Sequence, residues 1–280
     1  MIEFYRALSD LPFLQLALVA GLATAVPAGV VGSLVVTRRM ATAAGGLAHA
    51  VLGGMGAAYW LAASRGWTSL HPMHGAVLAA VVCALLLALA RRRERTDTAI
   101  SLLWAVGMAV GVLFLSQTPG YRSDLMGYLL GNILLVDPVA LRWLLALDAS
   151  VLLVVWLFHN QILAVSFDPE FARLRGLDVE VWETVILLLV AVTVVSLVYV
   201  VGIIMVIALL TIPAATVGRF TTRMTVMMIG AVFLSAVITT GGLALSFHLD
   251  LPTGALDVVL AALIYMAALL IRRRPATGGA

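Results

Sequence analysis

Nine long apolar runs, separated by short polar stretches, constrain the fold of this chain more than any other feature. They occupy residues 11–36, 41–63, 74–90, 98–116, 138–158, 182–201, 203–217, 224–247 and 254–271. A bilayer core of about 30 Å needs about 20 apolar residues per helix. The pattern therefore predicts an all-α, polytopic integral membrane bundle. Two runs join almost without a break at Gly202, so we expect eight to nine transmembrane helices.

The scarcity of charge supports this class. Charged residues make up 11% of the 280 positions and hydrophobic residues 63%, whereas a soluble domain keeps about a quarter of its residues charged. Residues 1–280 are therefore predicted to form a single transmembrane domain. Cys83 is the one cysteine, which excludes a disulfide framework and a cysteine-based metal cluster. The formal net charge of +3 indicates membrane orientation rather than nucleic-acid binding in a chain this apolar.

The arginines predict how the chain is oriented. With nine crossings, 13 of the 17 arginines fall on one side, in five clusters: Arg38/Arg39, Arg91/Arg92/Arg93/Arg95, Arg173/Arg175, Arg219/Arg223 and Arg272/Arg273/Arg274. The other four fall opposite or near that edge: Arg6, Arg65, Arg122 and Arg142. The positive-inside rule assigns the richer side to the cytoplasm. We therefore expect an external N-terminus and a cytoplasmic C-terminus.

Two connecting segments are long. Residues 117–137 are predicted to be external and semi-polar, whereas the segment at about 160–181 is cytoplasmic and contains a short helix. Phe171 and Leu174 share one face of that helix. Arg173 and Arg175 are predicted to project elsewhere, so the helix can insert into a partner's groove. A helix that lies on lipid headgroups is the alternative. The two ends of this short helix carry residues that typically begin or end helices: Asp168, Pro169, Glu170 and Gly176.

Six segments carry a resemblance to a known family. They are VGSLVVTRRMATAAGGLAHAVLGGMGAAYW (31–60), RTDTAISLLWAVGMAVGVLFLS (95–116), GYLLGNILLVD (127–137), SFDPEFARLRGLDV (166–179), VVGIIMVIALLTIPAAT (200–216) and GLALSFHLDLPTGALDVVL (242–260). In this order they resemble the permease subunits of bacterial high-affinity zinc/manganese ABC importers. The ordered set is specific, although no single motif is.

The resemblance implies a homodimer in the bacterial inner membrane, with the pathway on its two-fold axis. It also implies a dimer of cytoplasmic ABC ATPase subunits and an external metal-binding protein as partners. The chain has no G-x-x-x-x-G-K-[ST] loop, so we expect no enzymatic activity of its own and ATP hydrolysis by the separate subunits. The helix at 166–179 then corresponds to the coupling helix. No cofactor is expected, with Zn²⁺ or Mn²⁺ as the transported ion.

His49 is the strongest candidate metal ligand. It lies ten residues past Arg39, or about 15 Å into the membrane, where an ionisable side chain is costly and marks a pathway. Gly45 and Gly53 lie one turn to either side of it and line the same predicted pathway. Family members commonly carry an acid where this chain has Gly45. Without that carboxylate, the ligands of the site are mainly imidazole nitrogen, which predicts a preference for zinc over manganese. Packing of His49 against a neighbouring helix is the alternative.

The remaining polar candidates lie nearer the helix ends. His71 and His74, three residues apart, are predicted to receive an ion on the external side, and His248 with Asp250 to join an outer vestibule. The alternative for both pairs is that they lie in solvated loops and bind no metal. Asp257 is placed a few residues into the last span, and a structural role is expected there. Pro213 lies inside a predicted span and is a gate or hinge candidate, with a packing kink as the alternative.

Competing functions are a permease for iron-siderophore, haem or cobalamin-like cargo, and transport of manganese or iron rather than zinc. An ion-gradient-driven carrier is a more distant alternative, because it would need several acids at midplane depth. An intramembrane protease is more distant still, since no H-E-x-x-H motif is present. The sequence therefore predicts a metal-importing ABC permease that moves its ion by alternating access.

Overall fold

A computed structural model describes residues 7–67, 70–91, 96–118 and 138–271. Its long elements are all helices, and they confirm the predicted polytopic helical bundle. In chain order they are α1 (Pro12–Thr37), α2 (Ala41–Arg65), α3 (Pro72–Arg91), α4 (Thr96–Ser116), α5 (Pro138–Leu157), α6 (His159–Phe167), α7 (Pro169–Leu174), α8 (Val179–Val201), α9 (Ile203–Gly218), α10 (Met224–Leu249) and α11 (Thr253–Leu270). Several predictions lie outside the described residues: most of the external loop (119–137), Arg6, Arg92, Arg93, Arg95, Arg122, Arg272, Arg273 and Arg274.

Each of the nine predicted spans corresponds to one helix. Seven of them are long and apolar enough to cross a membrane, namely α1, α3, α4, α5, α8, α10 and α11. Helix α2 has 25 residues, which is long enough, but it is rich in glycine and alanine and so is less hydrophobic. Helix α9 is strongly apolar but has only 16 residues, or about 24 Å.

Side-chain contacts define two ends of the bundle. At the first, which we call the arginine end, Arg38 after α1 pairs with Glu183 near the start of α8 at 2.6 Å. The Thr37 hydroxyl at the end of α1 contacts the sulfur of Met224, the first residue of α10, at 3.7 Å. Gly218, the last residue of α9, lies against Met227 of α10. Helices α1 and α9 therefore end where α8 and α10 begin.

Contacts at the opposite end, the far end, complete the alternation. Trp60 near the end of α2 lies 5.5 Å from Phe114 near the end of α4, measured between ring centroids. His71, before α3, lies 5.9 Å from Tyr199 near the end of α8, and the Thr253 hydroxyl at the start of α11 donates to Ser246 of α10 at 2.9 Å. Successive long helices thus run in opposite directions.

The hairpin between α8 and α9 depends on Gly202. Its backbone has φ 78° and ψ 166°, a region that essentially only glycine adopts. Helix α8 ends there and α9 turns back toward the arginine end. The sequence offered Pro213 as a second break, but α9 continues through it as one helix. A break at Pro213 is therefore not observed, because the buried proline is accommodated within the packed bundle.

Glycines allow α2 to pack closely between two neighbours. A Cβ on Gly53 would lie 3.1 Å from the carbonyl oxygen of Gly107 on α4, and one on Gly54 would collide with the backbone of Gly75 on α3. Lipid provides no hydrophobic force to drive helices together, so membrane helices associate through small residues that let backbones approach. Gly53 and Gly54 thus bring α2 into close contact with α4 on one side and with α3 on the other.

Candidate functional site

His49 lies two turns into α2, on the side that faces α4. Its ring stacks on Trp104 with 4.3 Å between ring centroids and an interplanar angle of 13°. The imidazole is half-buried. Its Nδ1 atom is buried and has no hydrogen-bond partner in the part of the chain that the structure describes. Because buried polar atoms are normally paired, an imidazole nitrogen inside the helical bundle with no partner among the described residues is a candidate ligand for an ion.

The surroundings of Gly45 explain what an acid would meet at that position. A Cβ on Gly45 would lie 3.0 Å from Ile207 Cδ1 on α9 and 3.8 Å from Trp104 Cζ3 on α4. The space one turn before His49 is therefore partly filled by two apolar side chains. Trp104 contacts both the His49 ring and this space. Sequence reasoning missed this residue, because a tryptophan in an apolar run is ordinary.

Gly53 lines an apolar groove on the outside of α2. The groove has a volume of about 640 Å³ and lies between α3 and α4. Its wall includes Ala50, Gly53, Gly107, Val106 and the half-buried Cys83. The prediction that Gly45 and Gly53 line a pathway stays a prediction, as does the gate role of Pro213. What the structure adds is that Gly53 lies against the backbone of α4, whereas Gly45 lies against side chains of α9 and α4.

His71 and His74 hold the start of α3. The backbone N–H of His71 donates to His74 Nδ1 at 3.1 Å, and the N–H of Met73 donates to His71 Nδ1 at 3.2 Å. The two rings lie 6.3 Å apart. A metal bound at either Nδ1 would have to displace one of these hydrogen bonds, which satisfy donors at the helix start. The metal-receiving role of this pair stays a prediction.

His248 and Asp250 lie at the end of α10, and both are exposed. The His248 ring packs edge-on against Phe247, at 5.6 Å between centroids. Asp250 adopts a left-handed backbone with φ 54° and donates its N–H to the Ser246 carbonyl at 2.9 Å, which ends the helix. Their vestibule role stays a prediction. Across the described ranges, no three His, Cys, Asp or Glu side chains come together in a way that could hold a metal ion.

The predicted short helix exists, with the expected ends. Asp168 Oδ1 accepts a hydrogen bond from the N–H of Phe171 at 2.9 Å, and Pro169 is the first helical residue. Gly176 follows the helix with φ 82°, a conformation that favours glycine. The helix is only six residues long. The sequence did not show that the residues before it, which we predicted as loop, form the separate helix α6.

One side of α7 is anchored and the other is free to meet a partner. Ala172 is fully buried in a small core with Val165 of α6 and Val179 of α8. Leu174 is 87% exposed and Phe171 is 48% exposed. The prediction that Arg175 projects away from Phe171 is wrong, because its guanidinium lies 4.9 Å above the Phe171 ring. An anchored helix with exposed apolar side chains at the arginine end suits a docking element.

Two buried carboxyl groups lie elsewhere in the bundle. Asp257 of α11 is 1% exposed, and its Oδ1 atom occupies the place where a Cβ on Gly242 of α10 would lie. Asp148 of α5 is 4% exposed and lies beside Ser196 of α8. The burial of Asp257 was predicted. Asp148 was missed, although the cost of an ionisable side chain inside an apolar run marks it as clearly as it marks Asp257.

The described residues form a polytopic helical bundle in which one histidine nitrogen, His49 Nδ1, is buried without a hydrogen-bond partner among them, and a short helix with exposed apolar side chains lies at the arginine end. Comparison with known proteins agrees. The family model described as the ABC 3 transport family matches residues 10–272. This chain belongs to the ABC 3 transport family.

Relatives match over nearly the whole chain. An uncharacterized membrane protein of Synechocystis sp., slr2045, is 38% identical over 98% of this chain and 95% of that protein. The manganese transport system membrane protein MntC of Halalkalibacterium halodurans is 31% identical over 95% of this chain and 89% of that protein. A chain of PsaBC from Streptococcus pneumoniae, solved in complex with Fab, superposes with a TM-score of 0.87 at 27% identity, covering 97% of this chain and 96% of that one.

Proposed function

We propose that this chain is the membrane-spanning subunit of an ATP-driven importer that moves a divalent transition metal into the cytoplasm by alternating access. Membership of the ABC 3 transport family and a relative named for manganese transport support this class. The observation that carries it is the buried Nδ1 of His49, which has no hydrogen-bond partner among the described residues, on a ring that stacks against Trp104 of α4 inside the bundle. Neutral imidazole is a good ligand for divalent transition metals.

One imidazole is too few ligands for a transported metal. Among the described residues, His49 does not belong to any group of three or more His, Cys, Asp or Glu side chains that could hold a metal ion. We infer that a second copy of the chain supplies further ligands, in a homodimer whose two His49 side chains approach the same axis. An external metal-binding protein would deliver the ion at the far end. A dimer of ABC ATPase subunits would dock on α7 at the arginine end.

Two metals fit this site on different grounds. Gly45 removes the acid that would favour Mn²⁺ and leaves a site weighted toward nitrogen, which favours Zn²⁺. The MntC relative is named for manganese, which supports manganese equally. We propose zinc as the preferred ion because the argument from Gly45 concerns this chain's own residues. Measurement of uptake with each metal separates the two.

The test is metal import by the complex in proteoliposomes, with the ATPase and binding protein that co-purify with the chain. His49→Gln should lower import of the preferred metal by about 10–100-fold, the range that follows when groups supporting a metal ligand are removed. It should also abolish stimulation of ATP hydrolysis by the metal. His159→Gln, a matched histidine variant at the start of α6, should leave both unchanged.

Two results would overturn these proposals. Import that is unaffected by His49→Gln would remove His49 from the pathway. Equal or greater stimulation of ATP hydrolysis by manganese than by zinc in the unaltered complex would refute the zinc preference while leaving the metal importer class intact.

ATPase docking on α7 is tested separately by co-purification. Phe171→Asp places a charge on the exposed apolar face of α7 and should abolish recovery of the ATPase with the chain. Leu251→Asp is the control, because Leu251 is 49% exposed at the far end and faces away from any cytoplasmic partner. Recovery of the ATPase with the Phe171→Asp variant would contradict docking at α7.

A further inference from the structure

Arg38 connects the two helices that flank α7. Its Nη2 atom donates to Glu183 Oε1 on α8 at 2.6 Å, and its Nη1 atom donates to the carbonyl oxygen of Val165 on α6 at 3.3 Å. The Arg38 side chain is only 8% exposed. A charged side chain this deeply buried keeps its position only where it is paired. One guanidinium therefore holds both neighbours of the docking element.

The same ion pair reaches a third helix. Arg91, the last residue of α3, has its Nη2 atom 3.8 Å from Glu183 Oε1. Val165 also belongs to the small core in which Ala172 of α7 is buried. A displacement of α7 would thus be passed to Val165 and to the start of α8, both of which Arg38 contacts.

On its other side, Arg38 belongs to the turn that starts α2. Arg39 has a left-handed φ of 54°, which is uncommon for a residue other than glycine. The N–H of Met40 donates to the Val35 carbonyl at 2.8 Å, and the N–H of Arg39 to the Val36 carbonyl at 3.2 Å. A turn this tightly bonded moves as a unit with the helices on either side. Helix α2 begins at Ala41.

The path from α7 to the candidate metal ligand is therefore short. His49 lies eight residues past the start of α2, or about 12 Å along the helix. We propose that Arg38, through its bonds to Glu183 and Val165, is a positioning residue that transmits movement of α7 to α2 and so to His49. This inference rests on the proposed function, because it assumes that the ATPase acts on α7 and the metal on His49.

The shape of the arginine side chain matters for this role. Guanidinium offers several donors in a fixed planar fork, whereas the lysine ammonium is a compact charge on a flexible stem. Arg38→Lys should keep an ion pair with Glu183 but lose the simultaneous bond to Val165. Arg38→Gln and Glu183→Gln each remove the charge pair altogether.

The experiment measures metal ions imported per ATP hydrolysed by the reconstituted complex, with all rates normalised to folded transporter. Arg38→Gln and Glu183→Gln should each lower this ratio at least tenfold while the ATPase stays bound and its metal-independent hydrolysis continues. The double variant should be no worse than either single one, and Arg38→Lys should lie between these variants and the unaltered complex. Arg91→Gln, which removes only the longer contact, should change the ratio less than twofold.

The outcomes separate the hypotheses. If Arg38 only stabilises the fold, hydrolysis and import fall together and the ratio is unchanged, which overturns the proposal. The proposal is also overturned if Glu183→Gln, Arg38→Lys and Arg38→Gln all import as many metal ions per ATP hydrolysed as the unaltered complex. If the unaltered complex imports no metal, the proposed function itself fails. If Arg38→Gln does not fold, Glu183→Gln and Arg38→Lys decide the question.

Discussion

His49 and Gly45 together determine which ion the site can favour. His49 presents an imidazole nitrogen without a hydrogen-bond partner among the described residues, and Gly45 leaves the neighbouring turn without a side chain. The space at Gly45 is bounded by the far end of the Ile207 side chain, 3.0 Å from where a Cβ would lie. Because that end of isoleucine is flexible, an added Cβ can be accommodated there with a shift of a few tenths of an ångström.

Gly45→Asp should therefore move the metal preference toward manganese, since a carboxylate favours the harder ion. We expect the ratio of manganese to zinc uptake to rise roughly tenfold, which corresponds to about 1.4 kcal/mol. Gly45→Asn is the matched control, with nearly the same volume and no charge, and it should leave the ratio unchanged. An equal shift in both variants would show that crowding near Ile207, rather than the carboxylate, changes the preference.

For individual residues, the sequence was informative where a residue type is unusual in an apolar run. It was not informative where the role of a residue depends on contact with another residue far away in the chain. His49 and Asp257 stand out because an ionisable residue in an apolar run is costly. Arg38 was predicted only as part of a cytoplasmic basic cluster. Its partner Glu183 is 145 residues away in the chain, and no local pattern joins the two.

At the scale of helices, local signals were sufficient where the helix ends are marked in the chain itself. Asp168, Pro169 and Gly176 fixed the ends of α7 because capping depends on residues within one turn. Gly202 was recognised only as a weak join, although it forms the sharp turn of a helical hairpin. Pro213 was the stronger breaker by sequence, yet α9 passes through it, since tertiary packing around a buried helix overrides local preference.

Gly202 should therefore be the most sensitive turn position in the fold. Gly202→Ala forces a side chain into a backbone region that costs about 1–3 kcal/mol for other residues, and it should lower the thermal unfolding midpoint clearly in detergent. Gly66→Ala is the control, because Gly66 also has a positive φ of 68° but no atom lies within 4 Å of its Cβ position. Its backbone is left-handed helical, which alanine tolerates better. A midpoint lowered equally by both changes would contradict the special role of the α8–α9 turn.

At the scale of the whole molecule, the alternation of helices gives physical meaning to the arginine pattern. The described arginines divide seven to two between the ends: Arg38, Arg39, Arg91, Arg173, Arg175, Arg219 and Arg223 at the arginine end, and Arg65 and Arg142 at the far end. The sequence predicted this division from nine crossings, and the contacts at both ends produce the same division independently. The positive-inside rule predicts that the arginine end is cytoplasmic, and the proposed docking of an ATPase on α7 requires the same orientation.

This orientation can be measured with single cysteines in a Cys83→Ser background. Leu174→Cys marks the arginine end and Leu251→Cys the far end, and both positions are exposed. A membrane-impermeant maleimide should label the cysteine at position 251 but not the one at position 174 in intact spheroplasts, because only the far end faces outward. Inverted vesicles should give the opposite pattern, and detergent should make both reactive. Labelling of position 174 in intact spheroplasts would reverse the orientation and, with it, exclude α7 as the docking site of a cytoplasmic ATPase.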